Sequence, residues 1–397
     1  MMRATGGNNS DLMEMNRSAV VRILQRREVC SRADIARETG LTQPAITKIV
    51  AALIEMGIVS EVGGIKGSGN RRSIGLTLNV DKHQIIGVRF SRQLIGLGVF
   101  DIYGKVHYQT EMPYGNDEPP LKVLDNLKKR VSDLLVDYPN VVAIGFALPG
   151  PYLRNEGRIA VITQMPAWRD INFKKELEYA FNKPVFIEHD ANSGALAEWL
   201  FGDHPQSMHS LAYFLVGEGV GSGVIENGAL LLGTQGCASE IGHMSTDVQG
   251  PECECGNHGC LEMYCSAKAL ISKAVRRAPD AFEKSPHTCE SVFQAARAGN
   301  QEVLSVIREV AEYIGYGCVS LIYAYNPDVI IIGDSVSEGR ELILPTVQQI
   351  VRQRVLPEIF DKVQIKISEL KINPTLFGAA AVATNKALQT PSMFLAT

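Results

Sequence analysis

The stretch Gly236–Tyr264, GCASEIGHMSTDVQGPECECGNHGCLEMY, decides how the rest of the chain is read. Cys253, Cys255 and Cys260 stand close together, and His243 lies ten residues ahead of Cys253. Four soft or borderline ligands in so short a span, with Gly256 and Gly259 allowing tight turns, fit a tetrahedral Zn²⁺ site. His258, in the same loop, is the alternative imidazole. Glu240 and Glu262 bracket the group. Carboxylates accept hydrogen bonds from hydroxyl-rich ligands, and they also serve to hold metal ligands in place.

The chain has 397 residues, enough for two or three domains. Its 45% hydrophobic content is that of a globular protein and excludes wholesale disorder. The net charge of -4 is unevenly spread. Residues 1–78 carry 11 Lys+Arg against 7 Asp+Glu, so a basic head precedes an acidic body. That asymmetry points to a DNA-binding module fused to a domain of another kind. No apolar run is long enough to span a membrane, and no secretory signal is visible. Of eight cysteines, Cys30, Cys237, Cys265, Cys289 and Cys318 are scattered. A reducing cytoplasm with one structural zinc site is expected rather than a disulfide framework.

Polar residues 1–16 are expected to form a flexible arm, and 17–78 a winged helix-turn-helix. A first helix is expected over Arg17–Arg27. Ser31 and Asp34 form a helix-start signature for SRADIARET, which stops at Gly40. Thr42 is expected to cap the next helix, TQPAITKIVAALIEMG, with Pro44 in its first turn. Ile46, Ile49, Val50 and Leu53 make its buried stripe. Thr42, Gln43, Ala45, Thr47 and Lys48 face the other way, with side chains suited to base edges and phosphates in a major groove. The following IVSEVGGIKGSGNRRSIGLTLN reads as a hairpin wing with Lys66, Arg71 and Arg72 at its basic tip.

From His83 onward strands and helices alternate in an α/β pattern too long for one lobe. Strands are expected at QIIGVRF, LIGLGVFD, KVHYQTE, VVAIGFALPG, PVFIEHD and PDVIIIGDS, with SLAYFLVGEGVGSGVIENGALLLG a further hairpin. Helices are expected at about Leu121–Val136 and at INFKKELEYAF, ANSGALAEWLFG and IREVAEYIGYGCVSLIYAYN. The division expected is a small lobe over 79–188, to which a C-terminal helix at about 376–390 returns, and a large lobe over 189–375. Trp168 in MPAWRD reads as a packing aromatic rather than a ligand platform.

GEGVGSGVIENG, SEIGHMSTDVQGPECECGNHGCLE, HDANSGALAE and PDVIIIG together resemble the ROK family of sugar kinases and sugar-responsive repressors, whose repressors include N-acetylglucosamine, glucose and xylose types. The resemblance spans residues 79–390 and rests above all on the glycine-acid-His-Cys block. It implies a two-lobed, actin-like ATPase body with sugar in the cleft, following the winged helix-turn-helix head. It implies zinc ligands at His243, Cys253, Cys255 and Cys260. It implies sugar contacts at Glu240, His243, Glu262 and Asp190, the last being the general base in kinase members. The residue before that aspartate is usually Asn; His189 takes its place here and joins the expected contacts.

The resemblance also shows departures. Where kinases of the family carry Asp-x-Gly-Gly-Thr, this chain has Arg89-Phe90-Ser91-Arg92-Gln93. Their Gly-Thr-Gly phosphate loop is Gly217-Glu218-Gly219, and a second Gly-Gly is Gly333-Asp334. Phosphoryl transfer needs backbone N–H groups in glycine turns to cradle phosphates, so no catalysis is expected and Asp190 is a vestigial base position. Sequence alone gives Arg89 no role. The function expected is a transcriptional repressor of carbohydrate uptake or metabolism genes. Operator DNA would be its partner and a sugar or sugar phosphate its effector, acting on a homodimer or tetramer. The alternatives are a sugar kinase with a regulatory head, and a repressor controlled by a sugar-transport protein.

Overall fold

Runs of Val, Ile and Leu in the body become two sheets of the same topology in the protein's computed structural model. It describes residues 9–66, 72–91, 94–115, 117–160, 166–205, 207–370 and 373–395. The head comes first: α1 (Asn9–Arg27), β1 (Cys30–Ser31), α2 (Arg32–Thr39), α3 (Gln43–Glu55), β2 (Val59–Lys66) and β3 (Arg72–Leu78). Ser31 and Asp34 form a reciprocal capping box on α2, and Gly40 ends it at φ 69°. Ile46, Val50 and Leu53 of α3 are buried in the head core. The β2–β3 hairpin is antiparallel, with a bulge between Val62 and Gly64, and β1 joins its far side.

Two expectations for the head are corrected. Residues 9–16, assigned to the arm, are the opening turns of α1. Glu14 holds them down: its carboxylate accepts the Ser392 N–H at 2.8 Å and pairs with Arg17 at 3.5 Å. Thr42 sits at the N-cap of α3 but makes no side-chain capping bond. Residues 1–8 of the expected arm lie outside the described residues.

In the first sheet, β4 (Gln84–Ser91), β5 (Leu94–Asp101) and β6 (Val106–Pro113) form an antiparallel meander. β7 (Val141–Leu148) lies parallel to β4 beyond α4 (Pro120–Asp137). A small hairpin, β8 (Tyr152–Leu153) with β9 (Arg158–Ile159), and α5 (Phe173–Leu177) precede β10 (Val185–His189), which is parallel to β7. The helix expected at INFKKELEYAF shrinks to α5. Trp168 is buried and stacks on Phe173.

The second sheet follows α6 (Asp190–Phe201) and repeats the plan. β11 (Ser210–Val216), β12 (Val220–Glu226) and β13 (Ala229–Leu230) are the meander. β14 (Val329–Gly333) and β15 (Gln364–Ile367) add in parallel. The strand orders β10-β7-β4-β5-β6 and β15-β14-β11-β12-β13 are equivalent. Helices α7 (Glu262–Cys265), α8 (Ala267–Arg277), α9 (Cys289–Arg297), α10 (Gln301–Tyr325), α11 (Arg340–Arg354) and α12 (Pro357–Phe360) belong to the second half. The core between β14 and α10 is built from residues such as Ile330, Ile332, Ile314 and Leu321.

α13 (Pro374–Gln389) returns to the first sheet with fourteen buried residues. Its alanines lie so close to the strands that a Cβ on Gly145 would sit 1.8 Å from the Ala379 carbonyl oxygen. A Cβ on Gly378 would meet Ser193 of α6 at 2.4 Å, so the two helices touch backbone to backbone.

One buried acid gives a pH signature. Glu198 of α6 is 3% exposed and accepts the Ser368 hydroxyl at 2.5 Å. Burial pushes its carboxyl up to about 7, against the pull of Ser368 and with help from Glu369. The fold therefore favours the neutral acid. That contribution is complete below the ordinary carboxyl range and is lost as pH rises through about 7. Glu198→Gln mimics the neutral form. Chemical denaturation should find it unchanged at pH 4 and about 3 kcal/mol more stable than the parent at pH 8. Equal effects at both pH values would contradict the assignment.

Candidate functional site

The loop after β13 is shaped by positions that only glycine tolerates well. Gly256 and Gly259 have φ of 90° and 61°, and a Cβ on Gly259 would fall 1.6 Å from the Asp247 carbonyl oxygen. Bridges Ser245–Cys260 and Glu252–His258 pin the loop across itself. Asn257 ties it internally: its Nδ2 donates to the His243 carbonyl and to Ser245 Oγ, each at 3.0 Å. The CGN sequence around Asn257 was the only signal for this role.

This folding brings His243, Cys253, Cys255 and Cys260 together, with one ligand atom from each inside 4.8 Å of the others. Cys255 Sγ and Cys260 Sγ are 3.7 Å apart, and Cys253 Sγ is 3.8 Å from His243 Nδ1. Zn–S bonds of about 2.3 Å at tetrahedral angles put sulfurs roughly 3.8 Å apart. The spacing and the donor set therefore fit a metal ion. His258 is not in the group.

Beside the loop, a cleft gathers His189, Asp190, Glu240, His243 and Glu262. His189 ends β10, and Asp190 is the first residue of α6. His189 Nε2 is 3.0 Å from Asp190 Oδ1, and its Nδ1 is 3.6 Å from Glu240 Oε1. Burial works against charge on His189, but Glu240, Asp190 and Glu188 outweigh it and hold the imidazole up at about 9. Glu188 supports the position from below: it accepts the His189 N–H at 3.0 Å and Asn192 Nδ2 at 3.1 Å, and pairs with Arg154. Neither Glu188 nor Arg154 carries a motif signal.

On the opposite wall, Glu262 Oε2 accepts the Val220 N–H at 2.9 Å. Glu240 Oε1 is buried with no hydrogen-bond partner among the described residues. Burial raises the Glu240 carboxyl, while His189 and His243 pull it down. A buried, unsatisfied carboxylate oxygen is costly unless something donates to it.

The same cleft is also lined by Arg89, Glu218, Gly219 and Asp334. Arg89 Nη2, from β4, lies 3.1 Å from Asp334 Oδ2, just past β14. Asp334 has φ 72°, and its Oδ1 accepts the Ser335 N–H at 2.8 Å and Ser335 Oγ at 2.9 Å. Glu218 and Gly219 line the wall nearby. Arg92 and Gln93 lie outside the described residues.

On the head, Thr42, Gln43, Thr47 and Lys48 are exposed, and Ala45 is half-buried. Thr47 Oγ1 donates to the Gln43 carbonyl at 2.9 Å. Arg72 is exposed at the start of β3, and Lys66 ends β2. Arg71 lies outside the described residues.

A winged helix-turn-helix joined to a duplicated α/β body with an acid-lined cleft defines a DNA-binding regulator built on a sugar-kinase-like frame. The chain belongs to the ROK family, which it matches over residues 85–386, with winged helix-turn-helix DNA-binding matched over 16–60. It is 30% identical to the xylose repressor of Caldicellulosiruptor bescii, over 97% of this chain and 99% of that one. A crystal structure of a ROK family transcriptional regulator homologous to the E. coli Mlc protein superimposes with TM-score 0.79 at 25% identity, covering 97% and 99% of the two chains. A ROK glucokinase from Streptomyces griseus, in complex with glucose and AMPPNP, gives TM-score 0.67 at 27% identity. That alignment covers 76% of this chain and 99% of the glucokinase, leaving the rest of this longer chain unmatched.

Proposed function

We infer that the chain is a sugar-responsive transcriptional repressor whose body binds the effector and performs no phosphoryl transfer. The unsatisfied Glu240 oxygen carries this reading, because it sits in a cleft where sugar hydroxyls can donate to it. Asp190 and Glu262 supply further acceptors, and charged His189 supplies a donor. Zn²⁺, held by His243, Cys253, Cys255 and Cys260, fixes the loop that carries Glu240 and His243 and leads into Glu262. His243 Nδ1 points toward the cysteines, which leaves Nε2 for the cleft. The head binds a palindromic operator as part of a homodimer, with Thr42, Gln43, Ala45, Thr47 and Lys48 in the major groove and Lys66, Arg71 and Arg72 on the backbone.

The effector is an uncharged sugar rather than a sugar phosphate. Asp190, Glu218, Glu240, Glu262 and Asp334 all line the cleft, and Arg89 is engaged by Asp334. Two like charges about 4 Å apart cost about 1 kcal/mol in water and about 4 kcal/mol near a protein surface. The same argument disfavours ATP, because the Arg89–Asp334 pair and Glu218 stand where the family's phosphate motifs would hold a nucleotide. With ATP, Mg²⁺ and D-glucose or D-xylose, a coupled assay should find no turnover above the protein-free rate. Steady ADP production would favour the kinase reading, which the retained Asp190 supports. A thermal-shift series with D-xylose, D-glucose, N-acetylglucosamine and their phosphates tests the effector class. At least one free sugar should raise Tm with the logarithm of its concentration. Stabilisation by phosphates alone would reverse the assignment.

A further inference from the structure

Among the described residues, the head docks on the body along α1 and at Tyr103, by the far end of the helix that begins in the cleft. α1 runs across the C-terminal ends of α6 and α13. Ser18 Oγ donates to the Leu388 carbonyl at 2.7 Å, and Arg22 Nη2 to Asn385 Oδ1 at 3.0 Å. Gln25, which is 5% exposed, donates to the carbonyl of Leu200, next to last in α6, at 3.0 Å. From the β5–β6 turn, Tyr103 reaches into the head. Its hydroxyl accepts the Leu78 N–H at 3.1 Å, meets Thr77 Oγ1 at 3.1 Å and donates to the Glu28 carbonyl at 3.2 Å. Tyr103 therefore ties the end of α1 and the last strand of the wing to the first sheet.

α6 is a stiff link between the two places. Its twelve residues span about 18 Å, with Asp190 in the cleft and Leu200 at the joint. It cannot slide by repacking side chains alone. It touches α13 backbone to backbone at Gly378, and a Cβ on Gly223 of β12 would meet the Ala191 carbonyl oxygen at 2.5 Å. The joint itself is looser, since Gln25, Tyr103, Trp199 and Gly202 border a cavity there. A small tilt of α6 can therefore carry the Leu200 carbonyl, and Gln25 bonded to it, without a clash at the joint.

We propose that Gln25 and Tyr103 are positioning residues through which a shift of α6 at the effector cleft resets the orientation of the DNA-binding head. This rests on the repressor reading above. Coupling is reciprocal, so operator DNA must also act on α6.

The test uses the full-length chain, a duplex selected by it from a random pool, and the double variant Tyr103→Phe, Gln25→Met, which keeps ring and side-chain bulk. The sugar is whichever of D-xylose or D-glucose stabilises the parent. In the parent, saturating sugar should weaken operator binding at least 5-fold. In the variant that ratio should fall below 2-fold, with sugar affinity of the DNA-free protein within 2-fold of the parent. A variant that merely loosens the head would weaken operator binding equally with and without sugar, leaving the ratio intact, and that result overturns the proposal. A second arm needs no sugar. Hydrogen exchange in Asp190–Phe201 should change at least 3-fold when the duplex binds the parent, and should not change in the variant. No change in the parent overturns the proposal even if a sugar response exists. A parent that responds to neither sugar but passes the exchange arm defeats the sugar reading and leaves the joint standing. A parent that selects no duplex removes the repressor reading, and the proposal falls with it.

Discussion

Glu240→Gln is expected to lower sugar affinity by about 30- to 1,000-fold, leaving sugar-free operator affinity within 2-fold of the parent. The residue sits in the cleft, and its Oε1 has no hydrogen-bond partner among the described residues, the nearest donor being His189 Nδ1 at 3.6 Å. A hydrogen bond to a charged group contributes about 1.5–3 kcal/mol, and a carboxylate can take two from vicinal hydroxyls. Glutamine keeps the size, removes the charge and presents an amide donor to hydroxyls that also need acceptors. It also removes a neighbour that keeps His189 charged, so the His189 donor weakens with it. Calorimetric titration with the stabilising sugar measures the loss. Unchanged sugar affinity would show that the cleft acids are structural.

Cys260→Ser is expected to reduce bound zinc from about one per chain to below 0.1 after dialysis against a mild chelator. It should also lower sugar affinity by at least 10-fold. Cys260 is buried at the centre of the loop, with its sulfur 3.7 Å from Cys255 Sγ. Structural zinc supplies about 10–16 kcal/mol of binding free energy in small sites, and most of that depends on a complete ligand set. Without the ion, the loop keeps its bridges and the Asn257 bonds but loses the tie between His243 and the cysteines, so the spacing of Glu240, His243 and Glu262 loosens. Groups that orient a metal site typically matter by 10- to 100-fold, which sets the expected loss on the sugar side. Elemental analysis and the same calorimetric titration test both halves. Loss of zinc with an intact sugar response would break the link between loop and cleft.

What the chain displays in linear form, sequence reads well. The α3 stripe of Ile46, Val50 and Leu53, the Ser31–Asp34 box and the Cys253–Cys260 spacing are local patterns, and each has a local physical cause. The start of α1, NSDLMEMN, lacks an apolar stripe to announce it; there the Glu14 carboxylate is held by the distant Ser392 N–H. The Arg89–Asp334 pair joins residues 245 positions apart, and no local rule gives Arg89 a partner. Glu188, Arg154 and Tyr103 were invisible for the same reason: their roles depend on which sheet edge or helix end lies opposite. The short β15, four residues long, offers too little alternation to stand out. Local chemistry thus announced the His–Cys loop and the acids, while topology alone showed that they share a cleft with Arg89, Glu218 and Asp334.

The most direct test of the account is a fluorescence anisotropy titration of full-length protein on its selected operator, with and without the stabilising sugar. The account predicts that the free sugar weakens operator binding at least 5-fold, that its phosphate does not, and that ATP has no effect. Operator binding that is indifferent to every free sugar, or that responds to ATP instead, would contradict it.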